Sequence, residues 1–148
     1  MTEQQRQEWY AMLKARANTE GTYAVTGGMR LAELGDGWAR GELQLEERHR
    51  NPMGIVHGGV YCTMMDQVAG TAACTRGSIC RTVNCEVRFL APAQGGHLTS
   101  HAEAVRMGRS IAVIRAWVED TEGTVCAEGI YIFLQNNQTT QDYFRSWS

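Results

Sequence analysis

Asp66 is the only formally charged residue between His57 and Arg76. It stands in the run Val60 to Thr75, which is otherwise apolar or small on every side. A carboxylate inside a buried helix is expensive unless it is hydrogen-bonded or paired. Asp66 is therefore either held by a local partner or kept for chemistry, as a base or as an attacking group. Ahead of it lies a turn-rich lead-in, Asn51-Pro52-Met53-Gly54, and then His57-Gly58-Gly59. The first N–H groups of a helix have no intrahelical acceptor and sit at its positive dipole end. Glycines there put no side chain in the way of an approaching group. The segment thus offers an acid in mid-helix and unspent donors at the helix start.

The rest of the chain has to position that helix. A helix apolar all round is buried, and this one is shorter than the ~20 residues a membrane span needs. Residues 3–18 read as an amphipathic helix with Trp9, Met12 and Leu13 on one face and Thr2 as its cap. Met29, Leu31 and Leu34 mark an extended stretch that ends at the turn Gly35-Asp36-Gly37. Ala39, Gly41, Leu43 and Leu45 alternate with Arg40, Glu42 and Gln44, the period of a half-buried strand. Glu46 to Arg50 reads as a solvated connection. After the helix, strands are expected over 83–89, 98–106, 112–118 and 125–134, separated by turns at Gln94-Gly95-Gly96, Met107-Gly108-Arg109 and Asp120 to Gly123.

The order is helix, two strands, buried helix, four strands, and short turns imply antiparallel neighbours. The expected class is α+β, a six-stranded antiparallel sheet around a central helix. One such sheet hides only part of the helix circumference, which points to dimerisation. The 148 residues fit a single domain, with its core over about 22–134 and a polar tail over 135–148.

Composition narrows the function classes. A net charge of −2 gives no bulk attraction to nucleic acid or an anionic membrane. The polar start lacks the apolar core of a signal peptide, and a cytoplasmic protein is expected. Cys62, Cys74, Cys80, Cys85 and Cys126 form no Cys-x-x-Cys pair and read as buried free thiols. The four histidines lack metal-ligand spacing, so no metal is expected.

The spaced set Asn51-Pro52-x-Gly54-x-x-His57-Gly58-Gly59, followed by Asp66, resembles the hotdog-fold acyl-CoA thioesterases of the phenylacetate-degradation type. Phe89-Leu90-Ala91-Pro92-Ala93 is similar to the end of that family's third strand, Thr82 stands where it often carries Ser or Thr, and Met107-Gly108-Arg109 matches a turn seen there. The resemblance runs from about residue 38 to 134. It implies a hotdog fold, homodimers that often pair into homotetramers, active sites at the dimer interface, and hydrolysis of a coenzyme A thioester. Coenzyme A would be part of the substrate, and no separate cofactor is implied.

Thioester hydrolysis needs a donor for the oxyanion and a base or nucleophile. The resemblance assigns the first to the Gly58 backbone N–H, and Asp66 supplies the second. Eight residues along one helix separate them by about 12 Å. One subunit is then poorly placed to supply both, and an isologous pair of antiparallel helices would bring Asp66 of one chain to Gly58 of the other. Asn51 is a candidate for orienting water or thioester, or is an Asn-Pro turn residue. His57 is a candidate for bonding substrate, or is a helix cap. Thr82 holds Asp66 or a water, or is a plain strand residue. Gly59 and Met65 are candidates for the acyl pocket. Arg81, Arg106 and Arg109 are candidates for a basic rim facing the phosphates. A hotdog hydratase or dehydratase using His57 and Asp66 is the alternative enzyme, and a non-catalytic acyl-CoA-binding protein is the alternative outside catalysis.

Overall fold

The computed structural model describes residues 1–136. The expected polar tail lies, beyond Asn136, outside the described residues. Helix α1 spans Glu3–Ala17. The Thr2 hydroxyl accepts from the Gln5 N–H at 3.2 Å, and the Gln5 side chain accepts from the Thr2 N–H at 2.8 Å, a reciprocal cap. Trp9 is buried and donates its indole N–H to the Cys74 carbonyl at 2.8 Å, which docks α1 on the end of the central helix. Asn18 closes α1 and pins the next strand by bonding both backbone groups of Leu31.

A short helix α2, Tyr23–Thr26, precedes strands β1 (Met29–Gly35) and β2 (Trp38–Gln44). The central helix α3 spans Gly58–Cys74. Strands β3 (Ile79–Phe89), β4 (His97–Met107), β5 (Ile111–Glu119) and β6 (Val125–Asn136) follow. All neighbours are antiparallel, in the order β1-β2-β4-β5-β6-β3. The expected elements are present. Helix α2 was not expected, and β6 runs on through Gln135, whose buried amide donates to the Ala73 carbonyl at 3.1 Å.

Helix α3 packs against all six strands. Strands stand ~4.8 Å apart and a helix is only ~10 Å across, so the sheet must curve around α3 to reach it from every strand. The inward faces of β2, β4, β5 and β6 meet Tyr61, Met64, Met65, Val68, Ala69 and Ala72 of α3 in one core. Leu98, Ile114 and Val118 are fully buried there. Truncating such a residue to Ala costs about 2–5 kcal/mol.

Three expectations change. Of the cysteines read as buried thiols only Cys126 is buried; Cys62, Cys74 and Cys80 are half-buried and Cys85 is exposed. Helix α3 is not buried all round. Gly59 and Asp66 are exposed, and Cys62, Thr63 and Gly70 are half-buried. These positions recur at helical spacing, so they form one open stripe that no described element covers. The connection after β2 is not simply solvated either. A 3-10 turn, Glu47–His49, buries the His49 ring. His49 Nδ1 accepts from the Glu46 N–H at 2.9 Å and Nε2 lies 2.6 Å from the Gly27 carbonyl, so every polar ring atom has a partner.

Candidate active site

The lead-in loop is built to present the start of α3. Asn51 Oδ1 accepts from the N–H groups of Met53 at 2.9 Å and Ile55 at 3.3 Å, and its own N–H donates to the Ile55 carbonyl at 2.8 Å. The side chain thus mimics a backbone turn. Gly54, at φ +80°, supplies the left-handed residue that the turn requires. The buried His49 then accepts the His57 N–H on its carbonyl at 2.8 Å, fixing the residue before the helix.

His57 is the N-cap of α3, and its Nδ1 accepts from the Gly59 N–H at 2.9 Å. With Nδ1 accepting, the neutral ring carries its proton on Nε2. Gly59 thereby spends its donor on the cap. The Gly58 N–H is the first of the helix, and no acceptor among the described residues reaches it. The Phe89 ring closes over this point: a Cβ at Gly58 would lie 3.2 Å from it. Phe89 in turn stands 6.3 Å from the Tyr61 ring, centroid to centroid. Burial, with a smaller contribution from the Cys126 thiol, pushes the Tyr61 hydroxyl up to about 12, so it stays neutral.

Asp66 lies on the open stripe of α3. Thr82 Oγ1, on β3, donates to Asp66 Oδ1 at 2.7 Å. Thr63, the other hydroxyl near the acid in sequence, is turned back on its own helix and donates to the Gly59 carbonyl at 2.9 Å. The acid that sequence reasoning places inside a buried helix is exposed in the single chain, because no described element covers α3 on that side.

Two separate clefts flank the open stripe. One, of about 740 Å³, lies beside the helix start and is lined by His57, Gly59, Val60 and Thr63 together with Tyr23, Met29, Arg48 and Arg50. The other, of about 290 Å³, holds Asp66 and Thr82 with Gln67, Cys74, Cys80 and Phe133. The structure therefore brings Asp66 to Thr82, and His57 to Gly59 and the lead-in loop, but it sets the two groups in different clefts of the chain.

The remaining candidates lie elsewhere. Met65 is fully buried in the core. Arg81 is exposed on β3, Arg106 is exposed near the end of β4, and Arg109 is exposed in the turn that follows. None of the three lines either cleft. The cations that do line a cleft are Arg48 and Arg50 at the first and Arg16, on α1, at the second. Arg48 and Arg50 sit in the charged run that hydropathy marks only as solvated. Arg48 donates to the Thr26 carbonyl at 2.7 Å, and Arg50 donates to the Gly54 carbonyl at 2.9 Å. Among the described residues, no group of three or more His, Cys, Asp or Glu is placed to hold a metal. No helix there is long and apolar enough to cross a membrane.

The comparisons agree on the family. A family model described as the thioesterase superfamily matches residues 53–127. Acyl-coenzyme A thioesterase 13 of Homo sapiens is 32% identical over 115 residues, spanning 76% of this chain and 79% of that protein. The Escherichia coli PaaI protein, from the phenylacetic acid degradation operon, has a similar structure, with a TM-score of 0.79 at 20% identity, over 88% of this chain and 96% of that one. A structure described as a hypothetical thioesterase protein with coenzyme A, from Streptococcus pneumoniae, gives a TM-score of 0.72 at 21% identity, over 77% of this chain and 90% of that one. With its hotdog fold, this chain belongs to the thioesterase superfamily and is a thioester hydrolase.

Proposed function

We propose that the protein hydrolyses an acyl- or aryl-acyl-coenzyme A thioester to the free acid and coenzyme A, in a site shared by two subunits. The observation that carries this reading is the Thr82-held Asp66 on the open stripe of α3, beside a sheet edge that has no partner strand among the described residues. Strand β3 is half-buried or exposed along its whole length. Val83, Phe89 and Leu90 expose 55%, 58% and 52% of their surface. A long edge with apolar side chains is a template for another strand. Pairing β3 with β3 of a second copy covers that edge and the open stripe together. Two antiparallel α3 helices then bring Asp66 of one chain toward Gly58 of its partner, closing the ~12 Å gap that one helix imposes.

In that arrangement the Gly58 N–H donates to the carbonyl oxygen as it becomes an oxyanion, helped by the positive end of α3. Asp66 delivers the nucleophile, by taking a proton from water or by attacking the acyl carbon itself. Thr82 fixes the carboxylate orientation. In the water route the tetrahedral intermediate collapses with cleavage of the C–S bond, and the proton held by Asp66 passes to the departing thiolate. The wide cleft beside the helix start takes part of the substrate, with Arg48 and Arg50 at its rim facing the phosphates. A hydratase would use His57 as an acid or base, and the Nδ1 of that ring is already engaged as the helix cap.

The test is release of free thiol from a panel of acyl-CoAs, from acetyl through phenylacetyl to palmitoyl. Release from at least one member supports the reading, and the preferred chain sizes the pocket. Binding without release from any member contradicts it.

A further inference from the structure

Cys74 is the last residue of α3 and Cys80 lies at the start of β3. Their Sγ atoms stand 3.3 Å apart. A disulfide bond is ~2.05 Å long, so the sulfurs need to approach by only about 1.2 Å. Both residues are half-buried and both line the cleft that holds Asp66 and Thr82. The loop between them turns through Gly77 at φ +94°, so the two sulfurs are brought face to face by the connection itself. Cys80 and Thr82 are two apart on one strand and so share a face.

We propose that Cys74 and Cys80 are a redox modification site, forming a reversible intrachain disulfide that disturbs the Thr82–Asp66 pair. The oxidant is a small peroxide. The Cys74 thiolate attacks one peroxide oxygen, the O–O bond breaks, and the departing hydroxide is protonated to water, leaving a sulfenic acid. The Cys80 sulfur, losing its proton, attacks the Cys74 sulfur; the S–O bond breaks and hydroxide leaves with that proton as a second water. Two thiols are oxidised by two electrons and one peroxide is reduced to two waters. The contact between the two sulfurs holds the Cys74 thiol below its usual range and, together with burial, raises that of Cys80, which suits Cys74 to attack first.

Closing the bond draws the start of β3 toward the end of α3 and shifts Thr82, two residues on, against Asp66. A displacement of about 1 Å in a positioning contact lowers a rate by up to roughly 100-fold. The effect on hydrolysis rests on the role of Asp66 proposed above; the disulfide itself does not.

The experiment treats the reduced full-length protein with hydrogen peroxide, blocks remaining thiols, and digests with trypsin without reduction. Cleavage after Arg50, Arg76 and Arg81 places Cys74 in peptide 51–76 and Cys80 in peptide 77–81. The expected result is a linked pair of these peptides joined at Cys74 on fragmentation, a protein lighter by two hydrogens, and thioester hydrolysis lowered roughly 10- to 100-fold. Dithiothreitol should restore the rate. Cys74→Ser and Cys80→Ser should each abolish the link, and each should keep its own reduced rate after peroxide. Recovery of both peptides unlinked would overturn the site. A link that leaves the rate unchanged, or a Cys74→Ser protein inhibited as strongly as wild type, would overturn its control of Asp66. Absence of hydrolysis in the reduced protein would contradict the proposed function alone, and the peptide map would still decide the disulfide.

Discussion

Thr82 on β3 donates a 2.7 Å hydrogen bond to Asp66 on α3, and this bond ties the open sheet edge to the open face of the central helix. Both residues are exposed in the single chain. In the proposed dimer a second subunit would cover the pair, whose Asp66 lies eight residues along α3 from Gly58.

Removing that bond should act on rate rather than on folding. A hydrogen bond to a charged group contributes about 1.5–3 kcal/mol, and its exposure here favours the lower end. Thr82→Val should lower kcat by about tenfold with little change in KM or melting temperature, and Thr82→Ser should restore most of it. Steady-state kinetics on the preferred acyl-CoA, beside thermal melts, would check this.

Gly58 faces two constraints that substitution can separate. A Cβ there would meet the Phe89 ring at 3.2 Å, so Gly58→Ala should destabilise by overpacking, on the order of 1 kcal/mol. Adding Phe89→Leu should relieve the crowding and return the melting temperature. Activity should stay low in the double variant, because the methyl group still obstructs the approach to the helix start.

The open edge predicts the assembly. Val83→Lys places a charge on β3, a device that blocks strand pairing. Sedimentation should show dimers or larger assemblies for the wild type and monomers for the variant, with hydrolysis lost in step. Mixing Gly58 and Asp66 variants under subunit exchange should return activity, since each heterodimer keeps one site with both groups intact.

Asp120 gives a pH dependence of stability. Its carboxylate accepts from the N–H groups of Gln94 at 2.9 Å, Glu122 at 2.9 Å and Thr124 at 3.0 Å. These bonds, the one from Gln94 foremost, hold its pKa below the ordinary carboxylate value against the opposing effect of burial. The folded form thus binds its proton less readily than the unfolded chain. Its stabilisation is present above the unfolded pKa of ~3.9 and is lost as pH falls through the lower folded value. Asp120→Ala should melt well below wild type at neutral pH, and the two curves should converge in strong acid.

Much of this architecture is legible in the chain. The alternation in β2 and β5 gives strands because side chains two apart share a face, and the motif from Asn51 to Asp66 marks the helix start and its acid. What is lost depends on contacts distant in sequence. His49 sits among four charged neighbours, Glu46, Glu47, Arg48 and Arg50, and local hydropathy conceals that Gly27 receives its ring. Helix α2 spans four residues, too short to show a period. Val83, Cys85 and Phe89 alternate like a half-buried strand yet are exposed: the ladder with β6 slips between Thr82 and Asn84, which throws Val83 out of register, and no described strand pairs the outer edge of β3. The exposure of Asp66 has the same origin: composition reports what a helix face needs covered, and not which chain covers it. The nearness of Cys74 to Cys80 arises from the turn at Gly77, and no Cys-x-x-Cys spacing announces it.

The most direct test of the account is the kcat of Asp66→Asn on the acyl-CoA that wild type hydrolyses best. The variant should fold, assemble and bind substrate as wild type does, while kcat falls by roughly a thousandfold or more, as expected for loss of the base or nucleophile. An Asp66→Asn protein with undiminished thiol release would contradict the central claim and move the chemistry to another group.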